Sequence, residues 1–273
     1  MSRRIPLYQI DAFTDKVFGG NPAAVCPLEQ WLPAEVMQRI AMENSVAETA
    51  FFVREGESFA IRWFTPEIEM DLCGHATLAA AHVIKQYIHA ELNVIGFHSA
   101  SGELQVSIDG DLLTLNLPSR PPVISDIPQV ILDAFEQTPV EILKSRDYIL
   151  VFNDEEIIRH IEPDQTLLNT INLDPGGIVV TAKGRDVKGK DKKGHDVDFV
   201  SRFFTPQASV FEDPVTGSAH CSLIPYWSRK LGKKQLIAKQ LSARGGDLYC
   251  EDLGERVTVS GKAITYMRGT VFI

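Results

Sequence analysis

Apolar and polar residues alternate along several segments of the chain, which is the pattern of strands with one buried face. These segments are 7–13, 104–108, 112–117 and 256–271, the last interrupted at glycines. Helical periodicity is found at 33–42, 75–87, 128–135 and 218–231. Proline suits the first turn of the segment at 33, and Gly232 follows the last segment, where a helix end favours glycine. The pattern predicts an α+β fold with a mainly antiparallel sheet and few helices.

A short motif occurs once in each half of the chain, at the end of a strand-like segment. It reads Arg-Trp-Phe-Thr-Pro at 62–66 and, 140 residues further on, Arg-Phe-Phe-Thr-Pro at 202–206. A turn with a glycine and a helical segment follow each copy, so the sequence predicts an internal duplication of one α/β unit. At equal offset Asp213 corresponds to Cys73. Aligning the helix starts instead needs three more residues in the second turn and pairs Gly217-Ser218 with Gly74-His75.

A proline-rich crossing separates the two halves. It contains Pro118-Ser119-Arg120-Pro121-Pro122 and then Asp126-Ile127-Pro128, a composition typical of a domain boundary. We expect an N-terminal domain over residues 1–120, completed by the C-terminal strand 262–273, and a C-terminal domain over residues 121–261. The lysine- and glycine-rich interval 183–194 has few apolar residues and predicts an exposed hairpin loop.

Composition and charge exclude several classes of function. The chain has 273 residues, of which 44% are hydrophobic and 23% charged, and a net charge of −9. Basic residues form no run interleaved with aromatics, which argues against nucleic acid. No segment approaches the roughly 18 apolar residues of a membrane span, and we expect a cytoplasmic protein. Four widely spaced cysteines form no C-x-x-C pair and phosphate-binding glycine motifs are lacking, so neither a metal nor a nucleotide cofactor is predicted.

The two predicted helix starts could bind an anion. A helix N-terminus exposes unpaired backbone N–H groups and the positive end of the helix dipole. Gly74-His75 and Gly217-Ser218 could therefore hold a substrate carboxylate together. The simpler alternative is that Ser218 only caps its helix and Gly217 only serves a turn.

Four side chains are candidates for acid–base chemistry. Glu48 begins an apolar, β-prone run, where partial burial would suit it to take and return a proton near neutral pH. A capping box from Ser45 to Glu48 is the alternative, although the residues that follow favour a strand. His75 could relay a proton or make a structural hydrogen bond, and Asp213 could hold a substrate amine or hydroxyl or form an Asx turn. Cys73 could be a thiolate base or an inert buried cysteine.

Five blocks of sequence follow one another over most of the chain. They are Ile10-Asp11-Ala12-Phe13, Gly20-Asn21-Pro22-Ala23-Ala24-Val25, Ser45-Val46-Ala47-Glu48-Thr49-Ala50-Phe51, Cys73-Gly74-His75-Ala76-Thr77 and Glu212-Asp213-Pro214-Val215-Thr216-Gly217-Ser218-Ala219. The ordered set resembles the PhzF-like family of phenazine-biosynthesis isomerases. This resemblance implies a diaminopimelate-epimerase-like fold. Such a fold has two pseudosymmetric domains, each a curved or barrel-like sheet around a central helix, with the active site between the domains.

The resemblance also implies a reaction and a set of site residues. In the phenazine enzyme a glutamate moves a proton between carbons of a dihydro-hydroxyanthranilate without a cofactor, and Glu48 matches this glutamate. The other residues implied as catalytic are His75, Asp213 and Ser218. The residues implied as substrate-binding are Asn21, Ser45, Gly74 and Gly217. A small carboxylate substrate and a homodimer are implied as well.

The sequence departs from the family patterns at two points. Related racemases and epimerases use two cysteines, one from each half, whereas this chain keeps Cys73 but has Asp213 at the equal offset. The first turn also reads Gly-His-Ala where the phenazine enzyme has Gly-His-Pro, which leaves the substrate open. We predict a cofactor-independent isomerase. The alternatives are an amino-acid epimerase that uses Cys73 with a non-cysteine partner, and a catalytically silent protein that binds a ligand or a partner.

Overall fold

The computed structural model describes residues 3–173, 176–185, 196–208 and 210–273. Most of the predicted hairpin loop at 183–194 lies outside these described residues. The chain divides into two compact units. The first contains Met1–Asn116 and Ser260–Ile273, and the second contains Leu117–Val259.

The strands are distributed over the whole length of the chain. The first eight are β1 (Arg4–Ala12), β2 (Asn21–Leu28), β3 (Glu48–Glu55), β4 (Ser58–Phe64), β5 (Glu69–Met70), β6 (Val94–Ser99), β7 (Gly102–Asp109) and β8 (Leu112–Pro118). The next ten are β9 (Val123–Ile124), β10 (Glu141–Lys144), β11 (Tyr148–Phe152), β12 (Ile178–Lys183), β13 (Phe199–Phe204), β14 (Glu212–Asp213), β15 (Gln235–Gln240), β16 (Gly246–Asp252), β17 (Arg256–Gly261) and β18 (Ala263–Phe272).

Six α-helices are found in the described residues. They are α1 (Ala34–Asn44), α2 (Gly74–Val83), α3 (Gln129–Asp133), α4 (Glu155–His160), α5 (Gln165–Leu168) and α6 (Gly217–Leu231). The four helices predicted from periodicity correspond to α1, α2, α3 and α6, and Gly232 ends α6 in the left-handed region with φ 69°. The helix predicted over 75–87 is divided, because a π-helical turn at Ile84–Ile88 continues α2. Among the residues described, no helix is long and apolar enough to cross a membrane.

The first unit is a curved sheet packed against a buried helix. Its strands pair in the order β18, β1, β2, β3, β4, β6, β7 and β8. The β2–β3 and β4–β6 pairs are parallel and the others antiparallel. Nine of the ten residues of α2 are buried, and the helix packs against β1, β2 and β3. A helix that is apolar on all sides belongs in a core, and here it brings its first turn to the start of β3.

The second unit repeats this order of pairing. Its strands pair in the order β9, β10, β11, β12, β13, β15 and β16, with β11–β12 and β13–β15 parallel. Ten of the fifteen residues of α6 are buried, and this helix packs against β15 and β16. Trp227 of α6 stacks on Phe199 of β13 with ring centroids 5.8 Å apart. The second unit therefore also has a sheet with a largely buried helix.

The two Arg-x-Phe-Thr-Pro motifs make the same contacts. The Arg62 guanidinium donates two hydrogen bonds of 2.6 Å to the Glu69 carboxylate. Arg202 donates two to Glu212, of 2.6 and 2.9 Å. Each arginine also lies over the ring of the phenylalanine two residues further on, at 5.3 and 5.1 Å from the ring centroid. A planar guanidinium suits this bidentate and stacked arrangement.

Strand register decides between the two alignments of the turns. Glu69 pairs with Phe64 and Glu212 with Phe204, so the two glutamates correspond. The next residues, Met70 and Asp213, correspond as well. The same register carries on to the helix starts, where Cys73 and Thr216 are the two N-cap residues. The equal-offset pairing of Asp213 with Cys73 is therefore wrong, because the second turn is three residues longer.

Candidate active site

Glu48 stands at the beginning of β3, where the sheet meets the end of α1. It pairs in parallel register with Ala23 of β2. Helix α1 ends at Ser45, an exposed residue with φ 51° whose N–H donates to the Ala41 carbonyl. Ser45 thus ends one helix and does not begin another, so the capping-box alternative is wrong. The short turn after Ser45 leads directly into the strand that Glu48 begins.

His75 lies in the first turn of α2 and faces Glu48. Its Nε2 atom is 3.0 Å from Glu48 Oε2, and the side chains are only 6% and 16% exposed. The contact is an ion pair when the imidazole is protonated. The buried core position of α2 and the start of β3 bring together two residues that are 27 positions apart in sequence.

The other edge of the His75 ring contacts two further polar groups. Cys73 Sγ is 3.5 Å from Nδ1, and Asn21 Nδ2 is 3.2 Å from the same nitrogen. The N-cap residue Cys73 is itself held by Thr77, whose Oγ1 donates to the Cys73 carbonyl at 2.6 Å. Asn21, Cys73, His75 and Glu48 therefore form one largely buried polar cluster in the first unit.

The protonation of this cluster follows from burial and from the charges within it. Burial by itself lowers the pKa of the His75 imidazole, but its acidic neighbours Cys73 and Glu48 raise that pKa, and the net result is well above the ordinary value of 6.5. Burial raises the pKa of the Cys73 thiol, and the charge of Glu48 raises it further. The charges of Cys73, His75 and Glu48 are therefore coupled, and the imidazolium is favoured by the acidic side chains of Cys73 and Glu48 together.

Glu48, Cys73 and His75 are also the kinds of residue that bind metals. Their donor atoms all lie within 4.8 Å of one another. Zinc binds a histidine nitrogen at about 2.0–2.1 Å, and its other ligands surround the ion on the side of the ring where that nitrogen points. Here the thiol contacts Nδ1 and the carboxylate contacts Nε2, on opposite edges of the ring. This arrangement suits a row of acid–base groups better than a coordination sphere.

The second unit holds the other predicted polar residues in the turn before α6. Asp213 Oδ2 accepts a hydrogen bond of 2.5 Å from Thr216 Oγ1. Gln240, at the end of β15, contacts both residues: its Nε2 donates to the Asp213 carbonyl at 2.8 Å, and its Oε1 accepts from the Thr216 N–H at 2.9 Å. Ser242 Oγ donates to the Pro214 carbonyl at 2.7 Å. The turn is thus fixed to the strand beside it.

Both helix starts present backbone amides without a capping side chain. In the described structure neither Cys73 nor Thr216 caps its helix through its side chain. Gly74 and Gly217 are the first helical residues. Ser218 is the second residue of α6 and not its N-cap, so the capping alternative for Ser218 is wrong. The first amides of a helix have no intrahelical acceptor, which leaves both starts suited to an anion.

The structure therefore groups the predicted residues within each unit. Asn21, Glu48, Gly74 and His75 share one cluster with Cys73, whereas Asp213, Gly217 and Ser218 lie in the turn before α6. Ser45 lies at the end of α1, close in sequence to Glu48. Sequence reasoning missed Thr77, Thr216 and Gln240. Thr77 and Thr216 lie inside recognised blocks, but Gln240 belongs to no motif, and only the pairing of β15 with β13 brings it to the turn.

Comparison with solved structures defines the class of protein. The crystal structure of a PhzF-family phenazine biosynthesis protein from Enterococcus faecalis matches with a TM-score of 0.91 and 44% identity, covering 100% of both chains. A hydroxyproline epimerase from Agrobacterium vitis matches with a TM-score of 0.59 and 9% identity, covering 99% of this chain and 93% of the epimerase. The chain has the diaminopimelate-epimerase-like α+β fold, and the fold prediction is confirmed.

Comparison of sequences defines the family. A Pseudomonas aeruginosa protein named as an uncharacterized isomerase is 45% identical over 269 residues, which cover 98% of this chain and 99% of that protein. The family model described as phenazine biosynthesis-like protein, PhzC-PhzF, matches residues 10–269. The chain belongs to this family and is an isomerase.

Proposed function

We propose that the protein is a cofactor-independent isomerase that relocates a proton on a small carboxylic acid. Glu48 removes a proton from a carbon next to an activating group and returns it to another carbon of the same molecule. The observation that carries this proposal is the 3.0 Å contact between Glu48 Oε2 and His75 Nε2 in a nearly buried setting. Such a pair provides a base and an acid side by side.

The two side chains have different roles in this reaction. The Glu48 carboxylate accepts the proton as the carbon–hydrogen bond breaks, and the electron pair moves into the activated system of the substrate. The His75 imidazole, whose Nε2 atom faces Glu48 at 3.0 Å, orients the carboxylate and stabilises its negative charge before the proton is taken. The proton returns when the second carbon–hydrogen bond forms. Atoms and charge balance without an oxidant or a second substrate.

The second unit contributes substrate binding in this proposal. Asp213 would accept a hydrogen bond from a substrate amine or hydroxyl, and Ser218 would donate one. The amides that follow Gly74 and Gly217 suit the substrate carboxylate. That both units act on one substrate molecule stays a prediction, which substitutions in each unit would test together.

Exchange of solvent deuterium tests the proposal directly. Wild-type protein, Glu48→Gln and the matched control Glu55→Gln, at the exposed far end of β3, are incubated in D₂O with dihydro-hydroxyanthranilate or with cyclic amino acids, and incorporation is followed by NMR. We expect Glu48→Gln to lose about 10²- to 10⁴-fold in rate and Glu55→Gln to behave as wild type. Equal rates for Glu48→Gln and wild type would refute the role of Glu48. Saturable binding without any exchange would favour a silent binding protein.

One observation favours a second candidate, an amino-acid epimerase. Cys73 Sγ lies 3.5 Å from His75 Nδ1, so Cys73 and His75 could exchange a proton and the thiol could donate it to one face of the substrate. Stereoinversion of amino acids should then be lost in Cys73→Ala and kept in Cys26→Ala, which removes a buried cysteine of β2. Unchanged stereoinversion in Cys73→Ala would exclude this mechanism.

We further propose that the two units arose by duplication. The equal order of strand pairing and the two identical arginine–glutamate contacts support this. A homodimer and a cytoplasmic location rest on the family resemblance and on composition. Light scattering of the purified protein tests the first, with a mass of twice 30.3 kDa expected, and cell fractionation tests the second.

A further inference from the structure

Gln240 is a buried polar residue that uses its whole side-chain amide on one turn. Only 1% of the residue is exposed. Its Nε2 donates to the Asp213 carbonyl at 2.8 Å and to Thr216 Oγ1 at 3.1 Å, while its Oε1 accepts from the Thr216 N–H at 2.9 Å. A flipped amide would place oxygen against a carbonyl and NH₂ against an N–H. The orientation of the amide is therefore fixed.

This orientation directs the hydroxyl of Thr216. Because Thr216 Oγ1 accepts a hydrogen bond from Gln240 Nε2, the hydroxyl proton of Thr216 is available for another acceptor. The Thr216 hydroxyl donates to Asp213 Oδ2. Gln240, Thr216 and Asp213 thus form a chain of hydrogen bonds with one direction, which ends on the carboxylate.

Comparison of the two units separates what the fold requires from what is special to the second unit. Ser101 Oγ donates to the Asp71 carbonyl at 2.9 Å, just as Ser242 donates to Pro214. This serine-to-carbonyl hydrogen bond is common to both turns, so we assign it to the stability of the turn.

The position of Gln240 is different in the first unit. Phe59 pairs with Phe97 as Phe199 pairs with Ala238, so two residues further on Ser99 corresponds to Gln240. The Ser99 hydroxyl donates to the Gly102 carbonyl within its own hairpin. Among the residues that the structure describes, this hydrogen-bond chain is therefore found in the unit that has an aspartate in the turn, and not in the unit that has Met70 there.

We propose that Gln240 is a positioning residue which, through the Thr216 hydroxyl, fixes the rotation of the Asp213 carboxylate for a substrate amine or hydroxyl. This inference rests on the proposed function in so far as Asp213 contacts the substrate. A carboxylate that accepts one fixed hydrogen bond loses less freedom when the substrate binds. Thr216→Val removes the hydroxyl and keeps the shape of the side chain, whereas Thr216→Ser keeps the hydroxyl and removes the methyl group.

The experiment combines a spectroscopic measurement with kinetics. The Asp213 carboxyl carbon is followed by NMR in ¹³C-aspartate-labelled protein, with Asp213→Asn used to assign the resonance. The variants are Thr216→Val, Thr216→Ser, Gln240→Met and the double variant Thr216→Val/Gln240→Met, with Ser99→Ala as the matched control from the first unit. Deuterium exchange into dihydro-hydroxyanthranilate is measured for each of them.

We expect Thr216→Val and Gln240→Met to shift the Asp213 resonance, and Thr216→Ser and Ser99→Ala to leave it in place. The kcat for exchange should fall about 10- to 100-fold in Thr216→Val with a smaller change in KM, because a hydrogen bond to a charged group is lost. Thr216→Ser keeps the hydroxyl, so its kcat should be close to that of the wild-type protein. The loss in the double variant should be smaller than the two single losses combined, since both changes break the hydrogen bond from Gln240 Nε2 to Thr216 Oγ1.

An Asp213 resonance that is unchanged in Thr216→Val and Gln240→Met would overturn the inference, whatever the exchange rates. Additive effects on kcat in the double variant would overturn it as well. If Gln240→Met does not fold, Thr216→Val tests the same link. Absence of exchange by the wild-type protein would instead refute the proposed function, and the resonance would still report on the hydrogen-bond chain.

Discussion

Replacing Glu48 by glutamine should weaken the pH dependence that His75 gives to the free energy of unfolding, because Glu48 is one of the two neighbours that raise the pKa of His75. Burial lowers the pKa of His75, Cys73 and Glu48 raise it, and the net pKa is well above the ordinary value of 6.5. Between these two pKa values the folded protein binds one proton more than the unfolded chain. The stability contributed by the imidazolium is thus fully present below pH 6.5 and is lost as pH rises through the folded pKa.

The size of the effect follows from the geometry of the pair. One proton of difference changes the free energy of unfolding by about 1.4 kcal/mol per pH unit. Coulomb's law for charges 3.0 Å apart gives roughly 5 kcal/mol at an effective dielectric constant of about 20. Solvent and the rearranged side chains recover part of this energy when the charge is removed, so we expect a loss of about 3 kcal/mol at pH 6.5 in Glu48→Gln. The difference from wild type should shrink at higher pH.

Urea unfolding between pH 6 and pH 9 measures this difference, and the His75 Hε1 resonance reports the imidazole itself. Glu91→Gln is the control, because Glu91 contacts His89 in an exposed ion pair, and its curve should run parallel to wild type. The reasoning is refuted if the curves of Glu48→Gln and wild type stay parallel over the whole range. An imidazole that titrates below its ordinary value in the wild-type protein would refute it too.

Two further predictions concern a glycine turn and buried histidines. Gly20 and Gly56 have nearly equal φ of 61° and 64°, but a Cβ atom on Gly20 would lie 2.0 Å from the Ala12 carbonyl oxygen, whereas Gly56 has nothing within 4 Å. Thermal unfolding should show a loss of about 1–2 kcal/mol for Gly56→Ala and a much larger loss for Gly20→Ala; equal losses would mean that the loop relaxes. Burial lowers the pKa of His82 and of His220 to about 4. The stability that each neutral imidazole contributes is therefore present above pH 6.5 and is lost as pH falls toward 4. The free energy of unfolding should decrease by about 1.4 kcal/mol per pH unit for each histidine in this range. Urea midpoints of His82→Gln and His220→Gln should show a shallower loss in acid, and an unchanged slope would contradict this.

Much of the fold was predictable because it depends on local patterns. Alternation indicated β1, β7 and β8, and helical periodicity indicated α1 and α6 with Gly232 at its end. The π-helical turn after α2 was not predictable, since Ile84–Ile88 continues the same apolar periodicity. The parallel pairs such as β2–β3 were also missed, because pairing of distant strands leaves no local signal.

The sequence alone determined the residue types of the site and the two turns that contain them, because short local motifs such as Cys-Gly-His-Ala-Thr include both. Only the tertiary structure decided which of these residues meet. The contact of Glu48 with His75 requires a strand start and a buried helix from separate parts of the chain. The chain from Gln240 to Asp213 depends on strand register. Contacts of this kind depend on tertiary packing, because a buried polar group needs a hydrogen-bond partner and that partner can be distant in sequence.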